Sequence, residues 1–167
     1  MSYAQARTYW IPPGDAGIEA TVGHMRRLAR RGADDDLLHR LAARIVDGSE
    51  GPGERARLLR GYLSEVFRFQ RDPPGVEWIR TPRELAGKLE ADGAASGDCD
   101  DVAVLGAALA HVMGLRSRYV LLGFDRGPFS HVYTDVWTGD GWVDLDVTRP
   151  DQFPPGLEIK RTGYRDT

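Results

Sequence analysis

The chain has 167 residues, 41% of them hydrophobic, with 22 Lys plus Arg against 25 Asp plus Glu for a formal charge of -3. That length and apolar content predict one domain around one core, spanning 1–167, and exclude general disorder. The near-balanced charge excludes the basic footprint of a nucleic-acid binder, and 20 of the 22 basic residues being Arg carries no functional weight.

In chain order, residues 1–14 read as an extended arm closing on Pro12-Pro13-Gly14. This start lacks the charged and apolar regions of a signal peptide, and no run of about 18 apolar residues follows anywhere. The expectation is a protein cytoplasmic as synthesised, with no membrane partner. Asp15 is placed to cap a helix reaching Arg31, with Ile18, Val22, Met25 and Ala29 on one face and Gly32 ending it. A second helix puts Leu37, Leu38, Leu41 and Ile45 on one stripe and stops at DGSEGPG. A third, from about Glu54, buries Leu59, Tyr62, Leu63, Val66 and Phe67. The arginines of these helices fall on the opposite, solvated faces. After the Pro-rich connection RDPPGVEWIR, Thr81-Pro82-Arg83-Glu84 is a capping box that starts a short helix carrying Leu85 and Leu89. EADGAASG reads as a loop of small residues.

From Asp98 a helix apolar on nearly all sides runs to Met113, and Gly114 terminates it. Three strand-like runs follow, SRYVLLGFD, HVYTDVWT and GWVDLDV, before an irregular tail at 149–167. Helices first and strands last define an α+β fold, with an antiparallel sheet packed on the helix that begins near Cys99. Gly139-Asp140 between the last two strands suits a two-residue type II′ loop, so Trp137 faces Trp142. In that register Val132, Thr134, Val136, Val143, Leu145 and Val147 share a core face. His131, Tyr133, Asp135, Trp137, Trp142, Asp144, Asp146 and Thr148 share the other. His131 is then diagonal to Asp146, about 7–8 Å between positions, within reach of an imidazole and a carboxylate. Asp144 is the fallback partner.

Cys99 is the sole cysteine, so no internal disulfide forms, in keeping with a reducing compartment. A thiol at a helix N-terminus is acidified by the unpaired amides and the dipole, and an imidazolium acidifies it further. The same amides can hold the oxyanion of an attacked carbonyl, and a carboxylate behind the histidine fixes its tautomer. Cys99, His131 and Asp146 suit the roles of nucleophile, base and orienter. Asp98 reads as a helix cap, and Asp100 and Asp101 as solvated charges favouring the positive end of the dipole. His24, His39 and His111 read as structural, and Asp135 as an exposed strand carboxylate. Tyr133, Trp142 and Asp144 are substrate-cleft candidates.

GDCDDVAVLGAALAHVMGLRSRYVLLGF, then HVYTDVW, then GWVDLDVT, resembles the core of the transglutaminase-like superfamily, the bacterial branch of papain-like-fold thiol enzymes, over roughly residues 62–148. Cys99, His131, Trp142, Asp146 and Thr148 match the motif positions, while Val147 stands where the family commonly has Pro. The resemblance implies a Cys-His-Asp site acting on amide bonds of a protein or peptide through an acyl-enzyme. Either water (peptidase or amidase, the favoured reading) or an amine (acyltransferase) is the acceptor. Gln70 and Trp78 are candidates for a side-chain donor to the oxyanion. The small size and DPPGVEWIRTPREL look like prophage versions, which implies a virion-associated protein with phage structural proteins as partners, including the alternative of a non-catalytic assembly module. No cofactor is expected. Some bacterial relatives depend on calcium, for which Asp98, Asp100 and Asp101 are the candidate ligands here, although the spacing is not that of an EF-hand loop. One Cys among scattered histidines argues against zinc.

Overall fold

A computed structural model describes residues 10–124, 127–148 and 157–167; most of the N-terminal arm and residues 149–156 of the tail lie outside them. The described elements are α1 (Asp15–Gly32), α2 (Asp36–Ile45), α3 (Pro52–Val66), β1 (Phe67–Phe69), α4 (Pro82–Asp92), β2 (Ala95–Gly97), α5 (Cys99–Val112), β3 (Ser117–Gly123), β4 (His131–Trp137), β5 (Trp142–Asp144) and β6 (Arg161–Asp166). The fold is α+β. A four-stranded antiparallel sheet, ordered β5-β4-β3-β6, stands apart from a two-stranded parallel sheet of β1 and β2.

The centre is α5, in which every residue from Asp100 to Ala110 is buried. It packs against α1, α2, α3 and α4 and against β3 and β4. Small residues set those spacings. A Cβ on Gly32 would stand 2.9 Å from the Pro82 ring of α4 and 3.1 Å from the Ala108 Cβ of α5, so only glycine lets α1 approach both. The helix ends at Gly114, whose φ of 71° is left-handed. Gly114 N–H donates to His111 O at 3.0 Å and Leu115 N–H to Ala110 O at 2.8 Å, the paired bonds of a Schellman stop.

The Thr81 box forms as the sequence requires, the hydroxyl accepting from Glu84 N–H and the Glu84 carboxylate accepting from Thr81 N–H. Asp35 caps α2 by accepting from Leu37 N–H at 2.9 Å. Asp15 is a correction: Gly14 holds the cap position of α1 and Asp15 is its first helical residue.

Three local expectations are overturned by longer-range pairing. Phe67 leaves the helix and opens β1, whose partner β2 occupies what reads as a loop of small residues, with Phe67 beside Ala95 and Phe69 beside Gly97. Strands of three residues carry too little pattern to be seen in sequence. The tail is not irregular throughout, because β6 pairs antiparallel with β3 from Arg118↔Asp166 to Gly123↔Arg161. The segment RTGYRD has no apolar stripe, and Gly163 at its centre leaves room for Phe129, whose ring would stand 3.1 Å from a Cβ there.

Candidate active site

The site is built where β2 runs into α5. Gly97 closes β2, and a Cβ there would fall 2.1 Å from an Asp101 carboxylate oxygen, so this glycine makes room for a side chain that folds back from the first turn of α5. Cys99 is the first residue of that helix and is half-buried. Asp98 occupies the cap position with extended backbone, but its side chain makes no capping hydrogen bond. The first-turn amides therefore donate no hydrogen bond to the Asp98 side chain, and only its backbone carbonyl accepts from the helix, from Val102 N–H at 3.4 Å.

Asp100 and Asp101 correct the expectation of solvated charges: they are 1% and 0% exposed. Asp101 accepts from Arg80 N–H at 2.7 Å and is ion-paired with the Arg80 guanidinium. Burial nevertheless outweighs Arg80 and pushes the Asp101 carboxyl up to about 6. Asp100 has no such cation. Burial first, then the neighbouring Asp98 and Glu77 carboxyls, hold it well above the ordinary carboxylate range, and neither of its oxygens meets a donor. Glu77 is raised by burial and by the charges of Asp98 and Asp72, and Asp72 by burial while accepting from Trp78 N–H. Five carboxyls, those of Asp72, Glu77, Asp98, Asp100 and Asp101, thus crowd the start of α5, and Asp72, Glu77 and Arg80 are not legible in the sequence because only the fold of loop 70–81 brings them there.

His131 opens β4, is 2% exposed, and through Nε2 shares a 2.9 Å hydrogen bond with Asp146 Oδ2. Asp146 is itself held, its Oδ1 accepting from Thr148 N–H at 3.3 Å. The hairpin register is the expected one, Asp135↔Asp144, Val136↔Val143 and Trp137↔Trp142, and Gly139 takes the positive φ, 104°, that the first position of such a loop needs. Leu145 N–H to Thr134 O at 2.8 Å carries the ladder one step beyond β5 and so delivers Asp146 towards His131.

Two bonds align α5 with β4: Thr134 Oγ1 donates to Ala103 O at 2.8 Å near the helix start, and Trp137 N–H to Arg116 O at 2.8 Å beyond its end. Helix and strand run the same way, so Cys99 and His131 lie at the same end of the layer.

The cleft candidates divide. Tyr133 stays with the site, its ring centroid 6.1 Å from that of His131. Trp142 does not: it is paired with Trp137, at the far end of β4 from His131. Asp144 also leaves, its backbone and carboxylate oxygens accepting from Arg60 Nε at 3.1 and 3.4 Å. Asp135 is ion-paired with Arg118 at 2.8 Å rather than exposed. His39 binds Ala33 O and His111 binds Thr167 Oγ1, and neither lies at the site.

A sheet strand bearing a buried His–carboxylate pair, laid along a helix that opens on cysteine, is the arrangement of papain-like thiol enzymes. A family model of the transglutaminase-like superfamily matches residues 39–147, and the chain belongs to that superfamily. Among solved structures, a candidate cysteine protease from Cytophaga hutchinsonii is 20% identical, with a TM-score of 0.55 over 84% of this chain and 47% of its own. A candidate protease from Parabacteroides distasonis is 12% identical, with a TM-score of 0.57 over 77% of this chain and 26% of its own. The chain therefore spans less than half the length of either, and the likeness is one of fold. No curated protein matches the chain. No helix among the described residues is long and apolar enough to cross a membrane.

Proposed function

We propose that the chain is a thiol hydrolase of amide bonds in peptides or proteins. Cys99 attacks the carbonyl carbon, His131 takes the thiol proton and then protonates the leaving amine, and water releases the acyl group. Because His131 gives Nε2 to Asp146, proton exchange with Cys99 falls to Nδ1. The observation that carries this reading is the buried 2.9 Å bond between His131 and Asp146 at the end of the layer where α5 begins with the thiol. It is the orienting contact that a nucleophile and base require.

The test is the rate of iodoacetamide alkylation of Cys99 against pH. A midpoint well below the roughly 8.5 of an ordinary thiol, moved back up by His131→Ala, is expected. An ordinary midpoint in the wild type overturns the enzyme and leaves a non-catalytic assembly module.

Calcium is a second reading, favoured by one observation. The Asp98, Asp100 and Asp101 carboxylates offer oxygens within 4.8 Å of one another, and Asp98 Oδ1 and both Asp100 oxygens are buried without a donor. Hard oxygen donors fit that ion. Asp98, Asp100 and Asp101 would hold it, with the ion competing with Arg80 for the Asp101 carboxylate. When bound it would supply positive charge beside the helix start. Melting with calcium and with chelator decides: a Tm unchanged by either removes the ion.

A further inference from the structure

We propose that the thiol end of the layer is a docking face for an extended polypeptide segment, rich in apolar side chains and carrying a Lys or Arg, on which Cys99 acts. The inference deepens the thiol-hydrolase reading and rests on it. Of the eight large apolar side chains exposed among the described residues, six are Trp10, Ile11, Val76, Trp78, Leu157 and Ile159. They come from three segments, each tied to that end. Loop 70–81 is fixed to the first turn of α5, where Arg80 N–H donates to Asp101 at 2.7 Å. Within the loop, Val76 N–H donates to Pro73 O at 3.1 Å across a turn with Gly75 at a φ of 78°, and Trp78 N–H donates to the Asp72 carboxylate. Leu157 and Ile159 lead into β6, with Lys160 N–H donating to Gly123 O at 2.8 Å. Leu122 of β3 pairs with His131 on one side and Thr162 on the other, so the start of β6 stands level with His131, two strands or about 10 Å away. Trp10 and Ile11 precede α1, whose Asp15 is ion-paired with Arg161 of β6 at 3.3 Å.

Single exposed apolar residues are ordinary, but six of eight at the end that holds the thiol and the histidine mark an interaction surface. Charge names the occupant. Glu77, between Val76 and Trp78, is exposed, and the groups that act on it, Asp100, Asp98 and Asp72, are all acids. Arg80, a cation of the same loop, is committed to Asp101. A Lys or Arg on the incoming segment supplies the missing charge, whereas the same acids repel an anionic lipid surface. Apolar groups on three separate segments suit an extended chain that meets each in turn.

The test follows, by anisotropy and with chelator present, the binding of a short fluorescein-labelled peptide of alternating Val and Lys to Cys99→Ala. It is expected to bind about tenfold or more tighter than a Ser-Lys or a Val-Glu peptide. Trp78→Ser and Ile159→Ser each weaken it by roughly tenfold, Glu77→Gln narrows the preference for Lys over Glu, and Leu58→Ser, an exposed position on α3, changes nothing. In the wild type, saturating Val-Lys peptide slows iodoacetamide alkylation of Cys99. Equal binding of the three peptides, an equal loss in Leu58→Ser, or binding that leaves alkylation unslowed overturns the inference. Phosphatidylcholine vesicles bound in place of the peptide, and lost in Trp78→Ser, make the face a membrane one and overturn it too. Acylation of Cys99 by p-nitrophenyl acetate, seen as a burst of p-nitrophenol, reads the chemistry by itself because the acetyl group is too small to need the face. A burst without peptide discrimination overturns this inference alone. Discrimination with no burst and an ordinary thiol midpoint overturns the hydrolase reading, and the claim that the segment is substrate falls with it.

Discussion

The two ends of the α5–β4 layer are built on opposite principles. At the C-terminal end of the helix, the Schellman bonds close α5, Trp137 and Trp142 pack with centroids 5.3 Å apart, and Arg118 lies 3.9 Å over Trp142 and 4.1 Å over Tyr164 while bonded to Asp135. At the N-terminal end the helix has no side-chain cap, and among the described residues every buried carboxylate oxygen without a donor belongs to Asp98 or Asp100. One end is held by paired aromatic and ionic contacts, and the other gathers buried carboxyls that burial and one another keep protonated more readily than usual. This crowding of acids beside one thiol and one buried His–Asp pair sets that end of the layer apart from the other.

The contrast breaks most sharply at His131. His131→Ala should reduce acyl-enzyme turnover by roughly 10⁴-fold or more, and Asp146→Asn by up to about 10⁴-fold, since the amide holds the ring in the wrong tautomer. Burst kinetics check both, and equal wild-type rates would dissolve the difference between the ends. Next in size is Arg80→Ala, which strands the buried Asp101 carboxylate and should cost about 3–5 kcal/mol in urea unfolding at pH 7.5, most of it recovered by adding Asp101→Asn.

The acid cluster has a pH signature of defined sign. Asp100 is held well above its ordinary value and Asp101 at about 6, whereas unfolded aspartate titrates near 3.9, roughly. At these two positions the folded chain therefore binds more protons than the unfolded one above about pH 4, and the stability they contribute falls as pH rises through their folded values. Tm measured with chelator from pH 4 upward should decline. Asp100→Asn, whose amide can donate to the neighbouring acids, should flatten the decline and raise Tm at neutral pH. Added calcium should stabilise the wild type more than this variant.

Much of this was legible in the sequence because it is written in short range. TPRE contains all the atoms of its capping box, and Gly139-Asp140 fixes a register from which the approach of Asp146 to His131 follows by alternation alone. The partners of Asp100 and Asp101 were not legible, because charge next to a helix start reads the same whether it faces water or core. Gly97 decides the matter by leaving room for Asp101 to turn inward. β1, β2 and β6 were missed because their stability comes from the strands they join.

The smallest expected effect tests whether the satisfied end is truly separate from the chemistry. Trp142 matches a family motif position and sits on the same sheet face as His131, yet the hairpin register sets it opposite Trp137, at the other end of β4. Its contacts are the Trp137 ring and the Arg118 and Arg116 guanidinium groups, the last at 5.6 Å. Stacking and cation–π contacts of a half-buried ring contribute about 1–2 kcal/mol. Trp142→Ala should lower Tm by roughly 2–8 °C for a chain of this size. The alkylation midpoint of Cys99 and the p-nitrophenyl acetate burst should not move. A shifted midpoint with an unchanged Tm would reverse the assignment, returning Trp142 to the cleft and making the two ends of the layer one functional unit.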